Sequence, residues 1–196
     1  MSSISRSSIR RVLYLVIAAC AAPIVAFAAN SPSNSASATT RPALPPSLRV
    51  DGKIILRVHA RGFQVYTARK NAAGKIVWVF KAPEAIFRGP RGLSGKHTAG
   101  PTWELSDGSK VVGVKIAEAV VKDPENPNAI PWLLLAAKSH EGNGILSAVT
   151  FIQRINTAGG TAPAVGVEKE GDEIKIPYVA DYIFYGPGAT TRPAGK

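Results

Sequence analysis

The amino-acid sequence predicts an all-β protein, a single-domain antiparallel sandwich or barrel of short strands. Apolar and polar residues alternate with period two through most of the chain, the mark of strands with one buried face. Turn-forming pairs separate these segments at short intervals, and 18 glycines and 15 prolines supply them. Beyond the first 28 residues, no stretch carries a helical period over ten residues.

Four parts follow in order. Residues 1–28 read as a secretory signal: Arg6, Arg10 and Arg11 with no acid, an apolar run over residues 12–27, then the small residues Ala26 and Ala28 around Phe27. The apolar run is short for a membrane span, so no transmembrane segment is expected once the signal is cleaved. Two minor variants share this region. Ile17-Ala18-Ala19-Cys20 resembles a lipoprotein box, and Arg10-Arg11 is a weak twin-arginine match. Residues 29–47, rich in Ser, Ala and Pro, have no apolar period and read as a disordered linker. Residues 48–186 form the β-domain, and 187–196 a loose tail.

Within the domain, residues 54–60 alternate as a half-buried strand, with His59 on the face opposite Leu56 and Val58. Arg61-Gly62 interrupts it, and residues 63–67 form a second strand. Residues 76–80 are apolar on both faces, and Pro83 ends them. Two short arms, 85–88 and 93–97, flank a Gly-Pro turn at 89–92. Asp107-Gly108 is a hairpin signal between strands at 103–105 and 110–121. A loop with three prolines covers 123–131. Residues 132–140 read as a central strand, 148–157 as an alternating one, and 174–185 as the last, with Pro177 at an edge or bulge.

Net charge is +11, and loss of Arg6, Arg10 and Arg11 with the signal leaves +8. The Lys and Arg residues past the N-terminus are scattered, so no nucleic-acid partner is expected. The single cysteine, Cys20, lies in the signal, so the mature domain holds no disulfide. No Gly-x-Gly-x-x-Gly opens a helix, which excludes dinucleotide chemistry of that kind.

Residues 96–104 concentrate His97, a Gly100-Pro101 corner, Trp103 and Glu104. His140-Glu141 ends an apolar strand at a Gly-Asn-Gly turn. Strand ends gather at one rim of a sandwich or barrel, where loops hold ligands on a rigid scaffold. His97, Trp103, Glu104, His140 and Glu141 are therefore the candidate ligand-binding residues. His97, His140 and His59 are the candidate metal ligands, with zinc or copper suiting imidazole nitrogen. No spacing in the chain specifies a metal site or a catalytic triad. The expected function is an exported envelope or periplasmic β-domain that binds a small ligand or envelope component. The rival is a secreted hydrolase using a metal or a His/Glu site.

Several blocks carry a resemblance: residues 59–67, 78–85, 97–104, 130–135, 139–142, 152–157 with Gly159-Gly160, and Ala180-Asp181-Tyr182. With these the chain resembles the secreted family catalogued as domain of unknown function 3455, over about residues 48–186. The resemblance implies no established activity. It also implies that Ala68 and Val167 stand where relatives carry a paired cysteine, so the two residues are expected to be neighbours.

Overall fold

The computed structural model describes residues 41–164 and 169–191. The expected signal, most of the linker, Val167 and the last five residues lie outside the described residues, and so does the Ala68–Val167 pairing.

The described chain is all-β, with ten strands, three short 3-10 turns and no α-helix. The strands are β1 (Val50–Asp51), β2 (Ile54–Lys70), β3 (Ile76–Arg88), β4 (Ser94–Thr98), β5 (Thr102–Leu105), β6 (Lys110–Ala119), β7 (Trp132–Glu141), β8 (Phe151–Gly159), β9 (Glu173–Tyr185) and β10 (Thr190–Thr191). Of the two architectures expected, the barrel forms. Strands β2 to β9 each pair antiparallel with the next in sequence, and β9 closes on β2. Closure removes the free sheet edges that an open meander would leave. In the segment read as a loose tail, β10 pairs with β1 through Val50 opposite Thr191.

Two strand breaks expected from the sequence do not occur. Strand β2 runs through Arg61-Gly62 because Gly62 is where β3 approaches most closely. A Cβ there would lie 2.1 Å from the Glu84 carbonyl oxygen, so only glycine fits. Strand β3 likewise runs through Pro83, which pairs with Gln64 of β2. On its other side β3 pairs with β4 only from Ala85 to Arg88, so the N–H that Pro83 lacks costs no ladder bond there.

The barrel interior is one apolar cluster built from inward residues such as Leu56, Val58, Phe87, Trp103, Leu135, Tyr182 and Phe184. The turn Ile145–Ala148 closes one end by sending Leu146, with Val149 after it, into this cluster. A second cluster lies on the outer wall, where Leu44 and Leu48 cover Trp132 and Leu134. The Gln153 amide fixes that strap by donating to the Leu48 carbonyl at 2.6 Å. Strand β7 is thus buried on both faces, which is why residues 132–137 are apolar without alternation. Exposed ion pairs mark other parts of the outer wall. No helix among the described residues is long and apolar enough to cross a membrane.

Candidate functional site

The barrel wall has a window. Hairpin β4–β5 is short, while its neighbours β3 and β6 are long. Strand β3 has no β4 partner before Ala85, and β6 pairs with β5 only from Lys110 to Val112. The hairpin's Gly100-Pro101 corner therefore sits between two unpaired strand stretches. It is held there by the Gly113 amide, which donates to the Pro101 carbonyl at 3.0 Å.

Behind this sill lies a cavity of about 140 Å³. Phe80, Pro83 and Leu133 supply apolar wall, Lys81 and Lys115 flank the opening, and Gln64, His97, Trp103, Arg154 and Tyr182 form the interior side. Each interior group arrives by strand phase. His97 and Trp103 are register partners on β4 and β5, so both point inward, and their rings stack at 4.3 Å with 9° between planes. Tyr182 meets both edge-on. Arg154 shares the inward face of β8 with Ile152, and Nε and Nη2 both donate to the Pro131 carbonyl, at 3.2 and 2.8 Å. Gln64 follows Leu56, Val58 and Ala60 in the inward phase of β2.

The electrostatics are one-sided. His97 is 3 % exposed, and burial pushes its pKa down to about 3, against the small upward pull of the Thr102 carbonyl and with a further downward push from Arg154. The ring is therefore neutral. Its Nδ1 lies 2.9 Å from the Thr102 carbonyl oxygen, which places the proton on Nδ1. Burial pushes the Tyr182 hydroxyl up, and the Arg154 charge opposes it. Arg154 has no carboxylate within ion-pair distance among the described residues. Two donors here, Gln64 Nε2 and Trp103 Nε1, are buried without a well-formed hydrogen bond among the described residues, although Gln64 lies near enough to the Tyr178 hydroxyl to oppose the rise in its pKa. A buried donor left unpaired costs roughly 1–3 kcal/mol, so native proteins rarely tolerate two in one chamber without purpose.

The five candidate ligand-binding residues are split by this arrangement. His97 and Trp103 enter the cavity together. Glu104, one residue on, points outward and pairs with Lys96 at 3.3 Å. Glu141 is also outside, 2.6 Å from Lys110. His140 lies in the same cross-strand row as His97, three strands away, roughly 14 Å along the sheet. Its Nε2 bonds the Val149 carbonyl at the closed end, 2.8 Å away. The expected convergence of His97, Glu104 and His140 is thus corrected by strand alternation and strand spacing. The zinc or copper centre suggested for His97, His140 and His59 does not assemble either. No group of three such metal-ligating side chains comes together among the described residues.

His59 sits on the outer face, where its Nδ1 lies 2.8 Å from Asp181. Asn156 donates to the other oxygen of that carboxylate at 2.7 Å, from a bulge where its own φ is +50°. This exposed cluster orients an imidazole, yet no hydroxyl or thiol is hydrogen-bonded to it among the described residues.

Sequence reasoning missed Gln64 and Arg154. Both carried a signal: Arg154 alternates in phase with Ile152, and Gln64 with Leu56 and Val58 once β2 is continuous. Gly160, with φ of +91°, also belongs here. A Cβ on it would come within 3.1 Å of Ile130, Tyr178 and Gln64, so glycine lets the loop after β8 close over this end. The Tyr66 hydroxyl donates to the Gly160 carbonyl at 2.7 Å and ties that loop to β2.

Fold and window together define a small up-and-down β-barrel with a partly polar chamber reached through its side. The chain belongs to the family described as protein of unknown function (DUF3455), whose profile matches residues 88–186. That span includes the window hairpin, Arg154 and Tyr182, while Gln64 and His59 precede it. No curated protein and no solved structure shows significant similarity to the chain.

Proposed function

We propose that this protein is an exported binder of a small molecule, held behind the Gly100-Pro101 sill of the barrel. One observation carries the reading: Gln64 and Trp103, which line a cavity open to solvent, each bury a donor, Nε2 and Nε1, that lacks a well-formed hydrogen bond among the described residues. A pocket with apolar walls and a few convergent polar groups is the usual form of a ligand site. Export rests on the order of basic, apolar and small residues in 1–28, and on a domain free of cysteine. The hydrolase reading has less support, because among the described residues neither the His/Glu set nor a metal-ligating group converges at the cavity.

The test is a thermal-shift panel of single-ring compounds, neutral and charged. A ligand that binds only the folded state raises the melting temperature in proportion to ln(1 + [L]/Kd). At least one class should stabilise the protein, and Leu133→Trp, which fills the cavity from its wall, should abolish that gain. A gain that survives Leu133→Trp would place the binding elsewhere, and no gain from any class would end the proposal.

A further inference from the structure

We infer that the chamber is built for a compact organic anion: a monocarboxylate whose apolar body is about the size of one aromatic ring. The inference rests on the reading of the cavity as a ligand site and adds the chemistry of the ligand.

Three features point the same way. The first is charge. Arg154, Lys81 and Lys115 line the cavity, and no Asp or Glu among the described residues does. Lys81 pairs with Glu173, and Lys115 with Glu118 at 2.5 Å, so both lysines are compensated from outside. Arg154 has no such ion pair among the described residues; it donates to the neutral Pro131 carbonyl and sits against the Tyr182 hydroxyl, opposing the rise in that hydroxyl's pKa. A half-buried guanidinium without a counter-charge is incompletely compensated, and a negative group beside it is favoured.

The second feature is the sign of the hydrogen-bonding groups. Gln64 Nε2 and Trp103 Nε1 are both donors, so what they lack is an acceptor. A carboxylate carries about four acceptor sites and no donor, which matches a guanidinium flanked by an amide N–H and an indole N–H. Neutral His97 adds no competing charge.

The third is size. A chamber of about 140 Å³ is close to the ~150 Å³ engineered cavities that accept benzene. Trp103, Tyr182 and Phe80 line it with aromatic surface suited to a flat apolar body.

Benzoate and its neutral counterpart benzyl alcohol separate the possibilities. The readout is the indole N–H resonance of Trp103 in the folded protein, assigned by its loss in Trp103→Phe. Benzoate should shift that resonance and bind at least about tenfold tighter than benzyl alcohol, the factor one charge-assisted bond is worth. Arg154→Gln should erase the preference. Gln64→Met, which keeps the volume and removes only the donor, should weaken benzoate by about three- to tenfold and leave benzyl alcohol unchanged. It also decides the matter if Arg154→Gln fails to fold. Glu104→Gln, on the outer face, should alter neither. Equal binding of both compounds at Trp103 would overturn the anion assignment and leave the ligand site standing. If neither moves the Trp103 resonance up to about 10 mM, a concentration that detects even millimolar affinity, the anion assignment falls, while the ligand site itself stands or falls with the thermal-shift panel.

Discussion

The two ends of the barrel treat buried polar groups in opposite ways. At the closed end Ser109 is fully buried, and its hydroxyl donates to Asp107 at 2.6 Å while accepting from the Leu146 amide at 3.1 Å. The second Asp107 oxygen accepts from the Ile145 amide at 2.8 Å. Every group in this network has its partner, and Leu146 seals it from the core side. In the window half, by contrast, Gln64, Trp78 and Trp103 each bury a donor that forms no well-aligned hydrogen bond among the described residues. One end is finished by its own side chains. The other presents a surplus of donors around an uncompensated arginine. An end built only for stability would look like the first.

His97 gives the largest way to sharpen this contrast. Its pKa falls from 6.5 to about 3 in the folded state, so the unfolded chain takes up a proton that the folded chain refuses. Stability is therefore full above pH 6.5 and declines as pH falls toward 3. The loss is about 3 kcal/mol between pH 7 and pH 4, and on the order of 5 kcal/mol by pH 3. Urea unfolding across this range should show the decline beginning near pH 6, before carboxylates titrate. His97→Phe keeps the stacking surface on Trp103, loses about 1 kcal/mol at pH 7 with the bond to Thr102, and removes the acid limb. The wild-type and variant curves should cross between about pH 5 and 6. Parallel curves would mean that water reaches His97 and that the window half is more open than its packing implies.

Asp107 is the corresponding probe of the closed end. Its partial burial raises the pKa, but the hydrogen bonds from Ser109 and from the Ile145 amide outweigh it, and the net shift is downward. A depressed carboxylate contributes stability above its unfolded value near 4 that is lost as pH falls below it. Asp107→Ala should cost about 1.5–3 kcal/mol at pH 7, nearer the lower figure because the carboxylate touches solvent. The same substitution should leave ligand affinity at the window unchanged. A change in affinity would couple the two ends and break the comparison.

The comparison also explains how much could be read from the sequence. Alternation made the strands and turns legible, and residues 96–104 held two true members of the cavity in His97 and Trp103. It misled wherever a strand was cut short. An interruption at Arg61-Gly62 resets the phase and puts Phe63 and Val65 on one apolar face. Carried through from Leu56, Val58 and Ala60, the phase puts Gln64 inside and leaves Phe63 42 % exposed. The bulge at Val65/Tyr66 then buries Val65 as well, a shift no periodic reading can anticipate. The window itself depends on β4 and β5 being shorter than β3 and β6. That is a property of pairing between strands, and it appears only when registers are known.

The smallest expected effect concerns the residues that sequence proximity wrongly drew to the site. Lys96, Glu104, Lys110 and Glu141 are successive register partners across β4 to β7 and form an alternating ladder of charge on the outer wall. Lys110 has its pKa raised first by the hydrogen bond to Glu141 and further by the charges of Glu141 and Glu104. Glu104 is adjacent to Trp103 in the chain, yet alternation places it on the opposite face of the wall. Exposed pairs of this kind gain little in water and are screened by salt within about 10 Å at 0.1 M. Glu104→Gln should therefore change the melting temperature only at low ionic strength, and the difference should vanish in about 0.5 M salt, where the Debye length is shorter still. Benzoate affinity should match the wild type in both buffers. An affinity that differs from the wild type in either buffer would require Glu104 to act through the wall, and the boundary drawn between the outer ladder and the inner chamber would fail with it.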